Sequence, residues 1–550
     1  MSPYRGCFLA LAAAVVLPAQ DGATSENWPH YGGTYRSWRY SALDQVNGSN
    51  VKRLIPVWSF QTGDYEGGLQ ATPIVVDAVL YLSTSRGRVF AIDAATGAEL
   101  WRYHYQLPRD FSSFYGPWNR GLAVGGGRVF LGTLDNYAVA LDQKTGRELW
   151  RVNAEDARQC GCNITGAPLI VGDKVIVGVT GGDSAHRGYI TAFHVATGRQ
   201  VWRFWTIPGP GEPGHETWQG DSWKFGGGSS WMTGSYDPEL KLVYWSVGNP
   251  AADFYGDARK GNNLYTDSVV ALDEATGKLR WYHQQIPHDV WDFDTAYENV
   301  LLDLPVRGRP RKLLLNVNKG GITFVVDRTT GEFVSAWPIV KHLNWITGVT
   351  ETGQLAGRNE PEIGKPKLLC PSIGGGRSWN HGAFSPRTGW FYTTALEWCQ
   401  EVAAQKEEPV EGQVFFGGSF QMKHPPGEPA YSHLDAYEPV TGKRQWSYRS
   451  KYPLLASVLA TAGDLVFTGD PEGNFFALDA RSGGKLWSFQ TGSGLRGSPI
   501  AYAVKGRQYI ATPSGWGSAL AGLSVQLWPE AEGFRPGSAL FVFALPEESR

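Results

Sequence analysis

One short module recurs along the chain and limits what the chain can fold into: a β-type run ending in Asp or a similar residue, a Gly turn, one or two charged residues and a Trp. It reads "FAIDAATGAELW" ending at Trp101, "VALDQKTGRELW" at Trp150, "TAFHVATGRQVW" at Trp202 and "VALDEATGKLRW" at Trp281. "DAYEPVTGKRQW" ends at Trp446 and "FALDARSGGKLW" at Trp487, while "FVVDRTTGEF" near Asp327 is a copy without the Trp. Spacings of about 40 to 50 residues, or near twice that, are those of a repeat architecture. Each unit supplies a strand, a turn whose Gly permits positive φ, and a returning strand whose Trp can dock on the next sheet. Long helical periodicity is scarce and alternating strands such as "GGRVFLGTLD" are frequent, so the chain reads as an all-β propeller. About eight blades of roughly 40 to 60 residues fill it. "PVWSFQTG" near the start matches "KLWSFQTG" near the end, which leaves room for terminal strands to share a blade and close the ring.

The first residues, "MSPYRGCFLALAAAVVLPAQDGA", set Arg5 before an apolar run and small residues. This reads as a secretory signal over 1–23, leaving 24–550 as a single propeller that is exported to the periplasm or secreted. The run is too short for a membrane span, and no other stretch approaches the roughly 18 apolar residues a span needs. With a formal net charge of -2 and no Lys/Arg block, nucleic acid is excluded as a partner. Hydrophobic residues make up 42%, enough for a large core, which excludes disorder. Of five Cys, Cys7 leaves with the signal, and the other four enter an oxidising compartment where disulfides persist. Cys160 and Cys162, in "QCGCN", are spaced for a redox pair, half a metal site or a local bridge.

A propeller is a scaffold, so its chemistry must come from loops. Two regions stand out, "GGGSSWMTGSYDPELKLVYWSVGNPAADFYGDARKGNNLYTDSVVALD" and "QQIPHDVWDFDTAYENVLLD". Taken singly, their Asp and Asn residues are ordinary turn formers and Trp231 an ordinary core aromatic. Together with the Trp-bearing repeats and "LATAGDLVFTGDPEGNFFALDA", they resemble the quinoprotein alcohol dehydrogenases over nearly the whole chain. Those are eight-bladed propellers that hold pyrroloquinoline quinone and a metal ion on the central axis.

The resemblance implies a set of roles. Trp231 of "GGGSSW" would lie flat under the quinone. Asn249 of "VGNP" would give its amide oxygen to the metal. Asp292 of "HDVWDFD" falls at the catalytic base, taking the alcohol proton while hydride passes to the quinone. Asp294 shares a strand face with Asp292 and resembles the additional Asp of the lanthanide-dependent branch, so the ion is Ca²⁺ or a lanthanide. Arg120 of "GPWNRGLAV" faces a quinone carboxylate, Thr165, Thr180 and Ser229 supply hydroxyls, and Lys319 of "NVNKGG" stands near the quinone oxygens.

Several positions depart from the family. Asp183 stands for a metal-binding Glu, so its carboxylate must approach by about 1 to 1.5 Å or the ion must move. Gln70 replaces a Glu that meets the cofactor, and Leu455 a common Trp. The adjacent-Cys ring that covers the second quinone face is missing, because the two positions before Arg120 that should carry it are Phe114 and Tyr115. Either aromatic can sandwich the quinone against Trp231. Cys370 and Cys399 resemble a family disulfide, which could stabilise by roughly 3 to 4 kcal/mol. That leaves Cys160 and Cys162 for each other, stiffening the approach to Thr165.

The expectation is a quinoprotein dehydrogenase that oxidises alcohols, with aldehydes as further substrates. No "CxxCH" haem motif and hence no cytochrome domain is present, so electrons pass to a separate soluble cytochrome c. The alternatives are a non-enzymatic binding or assembly propeller, and a quinoprotein fold that has lost its cofactor.

Overall fold

The structure, a computed structural model, describes residues 26–547; the expected signal segment and Cys7 lie outside the described residues. Among the described residues eight blade sheets follow one another along the chain, seven of them four-stranded and antiparallel and the seventh blade carrying a fifth strand, Tyr40–Ser41, parallel to Leu459–Thr461. Blade 1 runs from Ile74–Val76 to Glu99–His104, and blades 2, 3, 4 and 5 open at Ala123, Leu169, Ser235 and Val300. Blade 6 opens at Ala383 and blade 7 at Leu459. Blade 8 takes three strands from Ile500–Val504, Arg507–Ser514 and Ala539–Ala544, and its fourth, Ile55–Gln61, from the beginning of the chain. That strand carries "PVWSFQ", so the match between the two ends of the sequence reflects ring closure.

The repeat has a physical cause at each blade boundary. The Asp caps the turn: Asp93 Oδ1 accepts from Ala95 N, Thr96 N and Thr96 Oγ1. The turn Gly then sits at positive φ with the preceding blade's indole against it. A Cβ on Gly146 would lie 2.4 Å from Trp101, and one on Gly277 2.5 Å from Trp202. The indoles of blades 1 to 7 also donate their N–H groups across the boundary, Trp101 to the Gln143 carbonyl at 3.1 Å and Trp446 to Ala480 at 2.9 Å. Trp487 of blade 7 donates to Leu54, and Trp58 of blade 8 closes the circle by packing alone on Gly97 of blade 1, its N–H without a partner among the described residues.

The copy near Asp327 does not lack its Trp. Trp337 sits two residues beyond the usual place, on the same strand face because strand residues alternate. It packs on Gly442 and donates to Pro439 at 3.1 Å.

Antiparallel neighbours reverse direction, so the start of an inner strand and the end of the second strand lie at one end of every blade. The chain segments there converge on the axis. Between the second and third strands of blade 6, Cys399–Ala404 and Gly418–Lys423 form a separate sheet with Lys367–Leu369, tied by the Cys370–Cys399 disulfide.

Gly277 and Gly308 have similar backbones, φ +68° and +77°, but only Gly277 faces an indole. Gly277→Ala should cost about 1–3 kcal/mol more than Gly308→Ala, because overpacking adds to the shared backbone strain. Apparent melting midpoints at one fixed scan rate check this; equal shifts would refute the docking account.

Candidate active site

Gln70, Thr165, Trp231, Trp379, Leu455 and Arg496 each stand four residues before the first residue of an inner strand, at Ile74, Leu169, Ser235, Ala383, Leu459 and Ile500. Thr180, Asp183, Asn249 and Lys319 follow second strands that end at Gly178, Ser246 and Val317. Both sets meet at the same end of the ring. They enclose a cavity of about 560 Å³, lined by Arg120, Thr165, Thr180, Asp183, Ser229, Trp231, Asn249, Asp294 and Lys319. A second chamber of about 510 Å³ adjoins it through Trp118, Arg120, Trp231, Asp294 and Lys319, and reaches Gln70, Trp379 and Arg496.

One side is built for anions. The Arg120 guanidinium lies 4.6 Å from the Trp231 ring and 5.0 Å from Trp379, and donates to Thr165 Oγ1 at 2.6 Å. Arg496 lies 4.3 Å from Trp379 and donates to the Leu455 carbonyl and Ser378. Both are buried, neither has a carboxylate partner among the described residues, and the Nε of each is unpartnered. Burial lowers Arg120 to about 10 and, with Arg120 nearby, Arg496 to about 9. Two buried guanidiniums without a counter-charge call for an anionic ligand. Gln70 donates to the Gly517 carbonyl at 3.0 Å and leaves its own oxygen free.

The other side is built for a cation. In "HDVWDFD", Trp291 and Phe293 pack with Trp345 in the core, which turns Asp292 and Asp294 the other way. Asp289 braces this turn, accepting from Trp291 N at 2.8 Å and Phe293 N at 2.7 Å. Asp292 adopts φ +62°, a conformation that Asp tolerates better than most residues. Its Oδ2 pairs with Lys319 Nζ at 2.7 Å, and its Oδ1 is buried without a partner. Carboxylate oxygens of Asp183, Asp253 and Asp292 lie within 4.8 Å of one another, and Asn249 Oδ1 is also unpartnered. Asp294 stands beside this group: it accepts from Asn249 N at 3.3 Å and lies 3.5 Å from Lys319.

Burial pushes the Asp292 carboxyl well above its usual range; Lys319 opposes the rise, and Asp183 and Asp294 add to it. Burial works against the Lys319 ammonium, but Asp292 and Asp294 outweigh it and hold its pKa high. Asp183 rises to about 6, chiefly through burial, with Lys319 opposing. Crowded buried acids with free oxygens fit a hard cation, as the two arginines fit an anion.

The covering aromatics differ from expectation. Phe114 is 61% exposed and its ring rests on Phe416, away from the cavity lining. Tyr115 does line the first chamber, its hydroxyl 2.7 Å from Ser184 Oγ. Trp118, passed over in the sequence, lines both chambers and is backed by Gly67 and Gly116, where a Cβ would lie 2.8 Å or less from Pro117 and the indole respectively. Trp379, Arg496, Asp253 and Asp289 were also missed. The fixed offset before each inner strand would have found Trp379 and Arg496.

Cys160 and Cys162 are joined by a disulfide. The next residue, Asn163, donates its N–H to Thr180 Oγ1 and accepts from Thr180 N, so the bridged turn is connected directly to the cavity wall.

Comparison with known proteins agrees with this geometry. A model of the glucose/ethanol/alcohol dehydrogenase β-propeller domain, which carries pyrroloquinoline quinone in its name, matches residues 28–343 and 449–510. This chain belongs to the quinoprotein alcohol dehydrogenase family. It is 37% identical to quinoprotein alcohol dehydrogenase PedH of Pseudomonas putida over 93% of this chain and 89% of that one. It is 34% identical to a quinoprotein ethanol dehydrogenase of Pseudomonas putida, over 96% and 92%. A solved europium-containing methanol dehydrogenase superposes with a TM-score of 0.89 at 33% identity, over 95% of this chain and 98% of that one. As a quinoprotein alcohol dehydrogenase the chain is an enzyme, and the non-enzymatic scaffold alternative falls away. Among the described residues no helix is long and apolar enough to cross a membrane.

The native pKa of Asp183 lies above its unfolded value of 3.8, so in the metal-free protein this group binds more protons folded than unfolded. Stability from it is present below about pH 4 and lost as pH rises through 6, by at most roughly 3 kcal/mol, since Asp183 keeps contact with the cavity. Metal-free Asp183→Asn should therefore melt like the parent at pH 4 and above it at pH 7. Differential scanning fluorimetry at the two pH values decides; a pH-independent gap would contradict the burial account.

Proposed function

We propose that this quinoprotein alcohol dehydrogenase works in the periplasm, as a single propeller beginning near residue 24, and passes electrons to a separate soluble cytochrome c. When bound, pyrroloquinoline quinone supplies the hydride acceptor, and a hard cation, Ca²⁺ or a lanthanide(III) ion, supplies Lewis-acid polarisation. The observation that carries this reading is the pairing, in one cavity, of two uncompensated arginines with a crowd of unpartnered acidic oxygens.

Asp292 is the proton acceptor for the alcohol hydroxyl. Its free Oδ1 can take the proton, while Lys319 holds the other oxygen and opposes the rise that burial imposes on the carboxyl. Trp231 offers a flat face to the quinone, with Arg120 supporting the indole from its side. Arg120 and Arg496 would hold carboxylates of the quinone, Thr165, Thr180, Ser229 and Gln70 would orient its polar rim, and Asp183, Asn249, Asp292 and Asp294 would hold the cation. Trp118, which shares both chambers with Trp231, would cover the second face in place of Phe114.

Purified protein reconstituted with the quinone and Ca²⁺ or La³⁺ should reduce a dye with short primary alcohols. Asp292→Asn should keep the quinone absorbance but lose about 10² to 10⁴ in turnover. No absorbance and no activity with either ion would sink this reading.

Trp118→Ala should weaken quinone binding about tenfold, the loss of one aromatic stacking contact of about 1.4 kcal/mol, whereas Phe114→Ala should leave it unchanged. Fluorescence titration measures both, and the reverse ranking would restore Phe114 as the cover.

A further inference from the structure

Asp253, in "NPAADFYG", is the most strongly constrained acid that the roles above leave unused. It has no solvent exposure, and no Lys or Arg pairs with it among the described residues. Its Oδ1 accepts from Asn249 Nδ2 at 2.9 Å, and the same amide donates to Asp183 Oδ1 at 3.1 Å. Its Oδ2 has no partner. A buried carboxylate with one oxygen idle is costly unless a cation meets it.

The geometry says where that cation would lie. Oxygens of Asp183, Asp253 and Asp292 fall within 4.8 Å of one another, and a hard ion holding oxygens at about 2.3–2.6 Å spans such a group. Asn249 is bound by its amide nitrogen to both Asp183 and Asp253, which leaves its Oδ1 without a protein partner. The neighbouring residue, Phe254, is fixed in the aromatic core and by its N–H to Phe416 O at 2.9 Å, so Asp253 is held in place rather than carried on a free loop.

We propose that Asp253 is a direct ligand of the cation, an added carboxylate that replaces the reach Asp183 gives up by being one methylene shorter than Glu. The proposal rests on the quinoprotein reading of the site. With Asp253 included, four carboxylates face one ammonium, Lys319, and that surplus of negative charge suits a trivalent ion more than a divalent one.

The test uses full-length protein loaded with the quinone and titrated with Eu³⁺, followed by Eu³⁺ luminescence lifetimes in H₂O and D₂O, which count coordinated waters. Asp253→Asn should bind Eu³⁺ at least about tenfold more weakly, since even residues that only support a ligand cost that much. It should admit one more water, lose less affinity for Ca²⁺ than for Eu³⁺, and in metal-free form melt no lower than the parent. A role limited to hydrogen-bonding Asn249 predicts the opposite: a lower melting point with affinity and water count unchanged, and that result overturns the proposal. Asp253→Ser, which adds no volume, repeats the measurement if the amide variant does not fold. Should the parent hold the quinone and Eu³⁺ while both variants match it, only the role of Asp253 falls. A parent that binds neither removes the quinoprotein reading and this proposal together.

Discussion

The contact between an indole of one blade and the bare backbone of a glycine in the next is what the remaining structure depends on. A blade alone is a twisted four-stranded sheet with two apolar faces, and it becomes stable only between neighbours. The Trp supplies area and a directed N–H, and the Gly supplies the space for both. Loss of such a Trp side chain typically costs about 3–5 kcal/mol, so the repeat is a packing requirement imposed at every boundary. Repetition around the ring brings lead-in segments and the loops after second strands to one place, and the cavity is lined by both.

Within the cavity the protein keeps opposite charges apart. Arg120 and Arg496 lie against tryptophans with no acid beside them, while Asp183, Asp253 and Asp292 crowd together and Lys319 pairs only with Asp292 and Asp294. Each group could have been neutralised by the other, and the fold prevents it. Such an arrangement is unfavourable in isolation and becomes favourable when a ligand brings negative charge to one side and positive charge to the other. The cost is borne by the scaffold, whose strands are rigid enough to hold the groups in place.

Much of this could be read from the chain. The blade number and ring closure followed from a repeat whose period is local and whose chemistry is simple. Trp231, Asn249, Asp292 and Lys319, which lie together at the cavity, could be singled out because their motifs are contiguous. Asp253 was not, because nothing near it in the sequence shows that it meets Asp183, which arrives from another blade. Trp118 was missed for a related reason: the positions of the absent disulfide point to Phe114 and Tyr115, and Trp118, which also lines the cavity, lies three residues beyond Tyr115. The apparent loss of a Trp near Asp327 came from counting residues where the strand counts faces.

The strand Ile55–Gln61 pairs only with Ala539–Ala544, almost the full length of the chain away. Emerging early from the ribosome, it must wait unpaired until nearly every other residue has followed. Because the two chambers are lined by segments from Gln70 near the start of the chain to Arg496 and Leu520 near its end, no shorter intermediate offers a complete binding site. Chain completion, circle closure and the ability to accept a cofactor therefore become one event, and a truncated product is left with an open edge and no site.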